Sequence, residues 1–228
     1  MPKTILINGA FGRMGQLACD TLEKDPEFTL IAKTGRNDNL DQAIKTHQPN
    51  IVIDLTNAEC VWTNAQTLMR HQAHFIIGTS GLKKEQIDAL MQQSKEKKLG
   101  GLIIPNFSIG AVLQIRCAEQ IARYFNKAEI IEAHHEKKLD APSGTALATA
   151  ARIDQVRMPS SCKTPIHSVR LPGLVAKQEV LFGAEAETLS IVHNVLNREV
   201  YMPGLILACQ KVTSLDRIYY GLEICLEG

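Results

Sequence analysis

Thr4-Ile5-Leu6-Ile7 is a short β-branched and apolar run that passes directly into Asn8-Gly9-Ala10-Phe11-Gly12-Arg13-Met14-Gly15 and then into a helical pattern through Leu17, Ala18, Thr21 and Leu22. A buried strand, a glycine-rich turn and a helix in that order restrict the fold more than any other feature of the chain. Glycine lets the backbone approach a pyrophosphate, and the first N–H groups of the helix stabilise its charge. The spacing is G-x-x-G-x-x-G, one residue wider at its first step than the G-x-G-x-x-G fingerprint. Its place directly after the first strand makes it a candidate nucleotide-binding turn.

Strand and helix signals alternate over the first hundred residues. Strands are expected at Thr4–Ile7, Thr29–Ala32, Ile51–Asp54, Phe75–Ile77 and Leu102–Ile104, with helices at Gly15–Glu23, Leu40–Thr46, Ala58–Arg70 and Lys84–Lys97. This is the pattern of a Rossmann-like doubly wound parallel sheet, in which ligands sit at the carboxyl ends of the strands. Three strand-end loops fit such a place: 9–15, 78–81 and 105–108.

The pattern then changes. Ile109, Val112, Leu113, Cys117, Ile121 and Phe125 recur at helical spacing. Strands rich in branched residues follow at Glu129–Ala133, Ile166–Leu171, Glu179–Phe182 and Thr188–Val195, and a helix near Gly204–Val212 precedes a last strand, Tyr219–Leu226. With few helices between them, the middle strands predict a second, smaller α+β domain with a mixed or mostly antiparallel sheet.

Charge and cysteine usage exclude several classes of function. Net charge is +1 over 228 residues, with no basic tail, so neither nucleic acid nor an acidic membrane surface is an expected partner. The longest uncharged stretch, Leu99 to Ile115, contains Gly100, Gly101, Pro105, Asn106 and Ser108 and reads as strand, loop and helix start. No basic region followed by a long apolar run opens the chain, so no signal peptide is expected. Cys19, Cys60, Cys117, Cys162, Cys209 and Cys225 are scattered without a C-x-x-C pair, which fits free thiols in the cytosol. No metal site is expected, since H-x-x-x-H and paired-carboxylate spacings are missing.

Residues 134–146, HHEKKLDAPSGTA, concentrate the chemistry. His134 and His135 point to opposite faces if they end a strand. Lys137 and Lys138 follow, then the turn signal Asp140-Ala141-Pro142, then Ser143-Gly144-Thr145 opening a helical run from Ala146 to Arg152. Imidazoles and ammonium groups facing a helix start with unpaired N–H groups make a site for a small anion with proton chemistry beside it.

The second strand ends in Lys33-Thr34-Gly35-Arg36, without the acidic residue that holds the ribose 2′-hydroxyl of NAD; the nearest carboxylate is Asp38. Arg36 can instead take a 2′-phosphate through charge-assisted hydrogen bonds, and Arg13 and Lys33 are further positive groups. NADPH is therefore the expected cofactor, with NADH as the second choice.

The motifs NGAFGRMG at 8–15, DLT at 54–56, GTSG at 78–81, PNFSIG at 105–110, EAHHEKKLDAPSGTAL at 132–147, IHSVRLPG at 166–173, EVLFG at 179–183 and REVYMPG at 198–204 together resemble the 4-hydroxy-tetrahydrodipicolinate reductase (dihydrodipicolinate reductase) family of lysine and diaminopimelate biosynthesis. The resemblance implies a cytoplasmic homotetramer that reduces 4-hydroxy-tetrahydrodipicolinate to tetrahydrodipicolinate with a nicotinamide cofactor. It implies a dinucleotide-binding domain over 1–106 and 204–228 and a substrate-binding and oligomerisation domain over 107–203. His134 resembles the family's proton donor and Lys138 its second proton-transfer residue. His135, Ser143, Gly144 and Thr145 match the groups that hold the substrate's carboxylates. Gly9, Ala10, Phe11, Gly12, Arg13, Met14, Gly78, Thr79, Ser80, Ile104, Pro105, Asn106 and Phe107 match cofactor contacts. The chain departs from the family in a short loop from Arg36 to Gln48, in Gly35 where the family is acidic, and in RLPG at 170–173 and KQEV at 177–180.

Two other functions fit the strand–turn–helix alone. One is another NADPH-dependent reductase of a small anionic carbonyl or imine. The other is a non-catalytic nucleotide-binding redox sensor, which needs no proton donor beside an anion site.

Overall fold

The computed structural model describes residues 1–71, 73–157 and 163–226. They form two compact units, Met1–Phe107 with Tyr201–Gly228, and Ser108–Val200. The two crossings therefore fall at Phe107/Ser108 and Val200/Tyr201, one and three residues from the expected ones. Among the described residues no helix is long and apolar enough to cross a membrane.

The first unit holds β1 (Lys3–Asn8), α1 (Arg13–Leu22), β2 (Phe28–Thr34), α2 (Leu40–His47), β3 (Ile51–Asp54), α3 (Val61–His71), β4 (His74–Ile77), α4 (Lys84–Lys97) and β5 (Gly101–Ile103). With the last strand, β10 (Ile218–Tyr220), the order of its six-stranded sheet is β10-β5-β4-β3-β1-β2, and all pairings are parallel. Both faces are covered: α1 packs with the C-terminal helix on one, and α2, α3 and α4 lie together on the other. This explains why β3 reads Ile-Val-Ile-Asp with every residue buried, a continuous rather than an alternating run. Leu6, Val52, Phe75, Ile77 and Ile103 form the core with Ile44, Leu68 and Leu90 from the helices.

The strand ends step across the sheet in one row of backbone hydrogen bonds. Gly9 donates to Thr34, Leu55 to Asn8, Gly78 to Asp54, Ile104 to Ile77 and Gly221 to Ile103, all at 2.8–2.9 Å. Every loop after a strand is thus held at the same sheet edge.

The second unit holds α5 (Ile109–Ile121), β6 (Lys127–His134), α6 (Gly144–Val156), β7 (Ile166–Arg170), β8 (Ala176–Gly183) and β9 (Thr188–Val195). Its sheet runs β7-β6-β8-β9, mixed as expected: β6 is parallel to β7, while β8 is antiparallel to both neighbours. Helices α5 and α6 cover one face, where Ala128, Ile130, Val180 and Phe182 meet Ala118, Ala146, Ala150 and Ile153. The opposite face carries Ile131 and Val192, which are 37% and 53% exposed.

The chain then re-enters the first unit through α7 (Met202–Val212), preceded by a 3-10 turn at Arg198–Tyr201, and ends on β10 (Ile218–Tyr220). The expected strand to Leu226 stops early. Its partner β5 offers three residues, Gly221 takes φ +94°, and Glu223–Cys225 turns into a 3-10 helix. Helix α3 starts at Val61 rather than Ala58 because Asn57 folds residues 57–60 into a turn, accepting the Glu59 N–H on its side chain. Strand β8 starts at Ala176 rather than Glu179, its full length pairing with β6.

Candidate active site

The first unit presents a cleft of about 520 Å³, the size of a small-molecule site. It lies where β1 and β3 meet, the point at which the strand order reverses and doubly wound sheets bind ligands. Gly9, Gly12, Phe11, Arg36, Asp38 and Thr56 are among its walls. Gly9 turns the chain at φ +85°, with Leu55 O only 2.5 Å from where a Cβ would stand. Helix α1 starts after Gly12 with no side-chain cap, so its first N–H groups remain for an anion.

Arg13 is exposed at the first helical position. Lys33 does not line the cleft; its ammonium pairs with Glu23 Oε1 at 2.7 Å. Asp38 does, because its Oδ2 accepts the Gly35 N–H at 2.8 Å and the short loop folds back. An acidic and a basic side chain therefore share the wall for which the sequence offered Arg36, with Arg13 and Lys33 as further positive groups.

Asp54, absent from the sequence reading as a site residue, organises the neighbouring loops. It is fully buried. Its Oδ1 accepts from Thr56 N at 3.0 Å, Thr56 Oγ1 at 2.5 Å and Thr79 Oγ1 at 2.8 Å. A carboxylate with that many donors is stably held without a cation. Through it, the segments after β3 and β4 are fixed together, with Gly78 and Thr79 at the sheet edge and Ser80 exposed beyond them. Beyond β5, Ile104 and Phe107 are buried and Pro105 is exposed, with Asn106 between these extremes.

The second unit carries the other group of expected residues. Along β6, Ala128, Ile130, Glu132 and His134 share the face that packs toward the helices, by the period of two. His135 follows the strand end, half-buried, and its carbonyl accepts the Lys138 N–H at 3.1 Å. Lys138 Nζ pairs with Asp140 Oδ1 at 2.7 Å. The loop reaches Ser143 through a cis Ala141–Pro142 bond. Ser143 caps α6 by accepting the Ala146 N–H on Oγ at 3.2 Å. Gly144 is exposed, and a Cβ there would meet nothing within 4 Å, so the backbone at the helix start is open to a ligand.

Glu132 joins these pieces. His134 Nδ1 lies 2.5 Å from its Oε2, and the Ser143 N–H donates to its Oε1 at 3.3 Å. The proton-donor candidate and the anion-binding helix start thus share one carboxylate. Burial alone would raise the Glu132 pKa; hydrogen bonds from Arg170, Ser168 and His134 outweigh it and hold the group below the usual carboxylate value. Burial lowers the His134 pKa below the ordinary imidazole value, and the attraction of Glu132 only partly offsets this.

Residues 3–107 match the family model described as dihydrodipicolinate reductase, N-terminus, and residues 110–226 match the one described as dihydrodipicolinate reductase, C-terminus. The chain belongs to the dihydrodipicolinate reductase family. A 4-hydroxy-tetrahydrodipicolinate reductase of Legionella pneumophila (strain Philadelphia 1) is 49% identical over 240 residues, covering 98% of this chain and 99% of the relative. One from Coxiella burnetii (strain Dugway 5J108-111) is 42% identical over 236 residues, with the same coverage. The solved structure of dipicolinate-bound dihydrodipicolinate reductase from Paenisporosarcina sp. TG-14 superposes with a TM-score of 0.89 at 34% identity, over 98% of this chain and 99% of that one.

Within this dihydrodipicolinate reductase fold, Glu132 and Arg170 were not recognised as site residues from sequence. The available signal was a carboxylate in an alternating strand on the same face as Ala128 and Ile130.

Proposed function

We propose that the protein reduces 4-hydroxy-tetrahydrodipicolinate to tetrahydrodipicolinate, a step of diaminopimelate and lysine biosynthesis, using NADPH in preference to NADH. The observation that carries this reading is the sharing of Glu132 by His134 and the Ser143 helix start. Such an arrangement sets a proton donor beside a carboxylate-binding site, which a redox sensor has no use for.

Residues of the glycine loop and the uncapped start of α1 fit the cofactor's pyrophosphate. When bound, the nicotinamide supplies hydride to a ring carbon. Loss of the substrate's 4-hydroxyl as water leaves the conjugated imine; once that imine had taken the hydride, negative charge would spread over the conjugated system and His134 would donate a proton to the neighbouring carbon, with Lys138 as the second proton-transfer group. His135, Ser143, Gly144 and Thr145 hold the two carboxylates and so orient the ring. The test is NADPH oxidation in the presence of the aldol product of pyruvate and aspartate semialdehyde. Oxidation that does not depend on this dicarboxylate would reject the reading, and turnover of other small imines in its place would select a different reductase.

Arg36 underlies the cofactor preference, and Asp38 on the same wall supplies an acceptor for the 2′-hydroxyl of NADH. Losing a charge-assisted contact costs about 1.5–3 kcal/mol. Arg36→Ala is therefore expected to weaken NADPH roughly tenfold or more and to leave NADH nearly unchanged. Equal losses in a binding titration would remove Arg36 from this role.

Thr145→Val is expected to act on binding. It removes a hydroxyl held toward substrate in ground and transition states alike, so the Michaelis constant should rise roughly tenfold with turnover little changed. A fall in turnover alone would place Thr145 in the chemical step.

The homotetramer is assigned to the open face of the β7-β6-β8-β9 sheet, where Ile131 and Val192 are aligned on Glu179 between them. Free thiols at Cys19, Cys60, Cys117, Cys209 and Cys225 support a reducing cytoplasmic setting, while Cys162 lies outside the described residues.

A further inference from the structure

Glu132 has no exposed surface, and its neighbours along the buried face of β6 are Ile130 and His134. A charge in such surroundings is costly unless it is paired and fully hydrogen-bonded. Arg170 supplies the pairing in fork geometry. Its Nη2 donates to Glu132 Oε1 at 2.8 Å and its Nη1 to Oε2 at 3.0 Å. The same guanidinium donates to Asp140 O at 2.6 Å and Val169 O at 2.7 Å. One ion pair therefore fixes the ends of β6 and β7, the loop that carries Lys138, and the start of α6.

A purely architectural pair would be complete with Arg170, the Ser143 N–H and the hydrogen bond from Ser168. Oε2 also meets His134 Nδ1, 2.5 Å away. We propose that Glu132, locked by Arg170, is the positioning residue of the proton-transfer step: it keeps a proton on His134 Nδ1, so that Nε2 is the nitrogen turned to substrate. This inference rests on the reading of His134 as the donor.

The proton balance is simple. His134 as imidazolium gives its Nε2 proton to the ring carbon, is left as the neutral Nδ1–H tautomer, and regains a proton from water. Glu132 stays ionised throughout. The groups that face His134 are Glu132 from its own strand, Arg170 from β7 and Lys138 from the loop, with the backbone N–H of Ser143 from α6. Glu132 is the anion in contact with His134, whereas the ammonium of Lys138 pairs with Asp140 at 2.7 Å, so removing the Glu132 charge takes away the attraction that offsets Arg170.

The test uses the full chain, with two variants. Histidine-labelled nitrogen spectra of the free protein, taken above the His134 titration, should show the Nδ1–H tautomer. In E132L/R170M, which replaces the ion pair by apolar groups of similar bulk, the Nε2–H tautomer ordinary in solution should appear. In E132Q the alkaline limb of the turnover profile should move to lower pH by about 1 unit or more. Turnover should fall at least roughly tenfold, a part of the 10²–10⁴ that a positioned acid supplies, while the Michaelis constant for the dicarboxylate and the affinity for NADPH change little. Melting temperature and NADPH binding report whether the variants fold. An Nε2–H tautomer in the unaltered protein would overturn the proposal, as would folded variants with unchanged turnover and pH profile. If the unaltered protein fails to reduce the dicarboxylate, the functional reading fails instead, and the tautomer still decides what Glu132 does to His134.

Discussion

His134→Gln is expected to lower the turnover number by about 10²–10⁴, the contribution of a positioned general acid. Glutamine is close in length and retains a hydrogen-bonding partner for Glu132, but its amide gives up no proton near neutral pH. Substrate should still bind, since the groups assigned to the carboxylates are untouched, and the cofactor should bind as before, because its cleft is built from the other unit. The pH dependence follows in sign from the environment of the ring. Burial holds the His134 pKa below its ordinary value. The acid form is full below that lowered pKa and is lost as pH rises through it. Turnover of the unaltered protein should therefore decline toward alkaline pH, and the residual turnover of the variant should lack that limb. NADPH oxidation at saturating dicarboxylate, followed across pH, measures both. Near-normal turnover in the variant would move the acid to His135 or to a bound water.

Gly15→Ala should abolish most cofactor binding. The position is inside α1, where alanine is intrinsically favoured over glycine by about 1 kcal/mol. Against that, the added Cβ would stand 2.0 Å from Gly9 O and 2.7 Å from the Ala10 Cα. Both are backbone atoms of the glycine loop and cannot swing aside. Overpacking of this kind costs about 1–3 kcal/mol or more, so crowding outweighs propensity. The melting temperature should fall, and NADPH and NADH should both weaken by roughly tenfold or more, since the loop they share has shifted. Gly144→Ala is the contrast for stability. With nothing within 4 Å of the new methyl, the melting temperature should hold or rise. Calorimetry on the two variants separates the effects, and a stabilised Gly15→Ala protein would mean the loop has room to move.

Where the order along the chain coincides with the order in space, the amino-acid sequence was informative. β1 and β3 are continuous buried runs ending in polar loops, and α4 occupies Lys84–Lys97 as its pattern predicts. The 134–145 segment is likewise local: strand end, turn and helix start are successive, so their convergence needed no knowledge of the fold. Long-range pairing was not legible. Glu132 in an alternating strand has no visible partner, because Arg170 stands 38 residues later on a strand whose neighbour cannot be read from periodicity. Asp38 was legible as the nearest carboxylate, two residues beyond Arg36, but its place on the same wall depends on the Gly35 N–H that turns it back. The overlong last strand failed for a different reason. Tyr219 to Leu226 is mostly apolar and reads as extended, but a single residue, Gly221 at φ +94°, ends it.

The sheet of the first unit is completed by β10, which the ribosome delivers only after the whole of the second unit. Five of its six strands must therefore wait in the nascent chain with the edge of β5 unpaired. Residues 108–200 carry all four strands and both helices of their own unit, so they hold every partner they need before that wait is over. Domains generally fold as units during synthesis, and unpaired edges are where chains aggregate. Biogenesis of this protein thus runs against its numbering, with the inserted half maturing first and the half that begins the chain closing last.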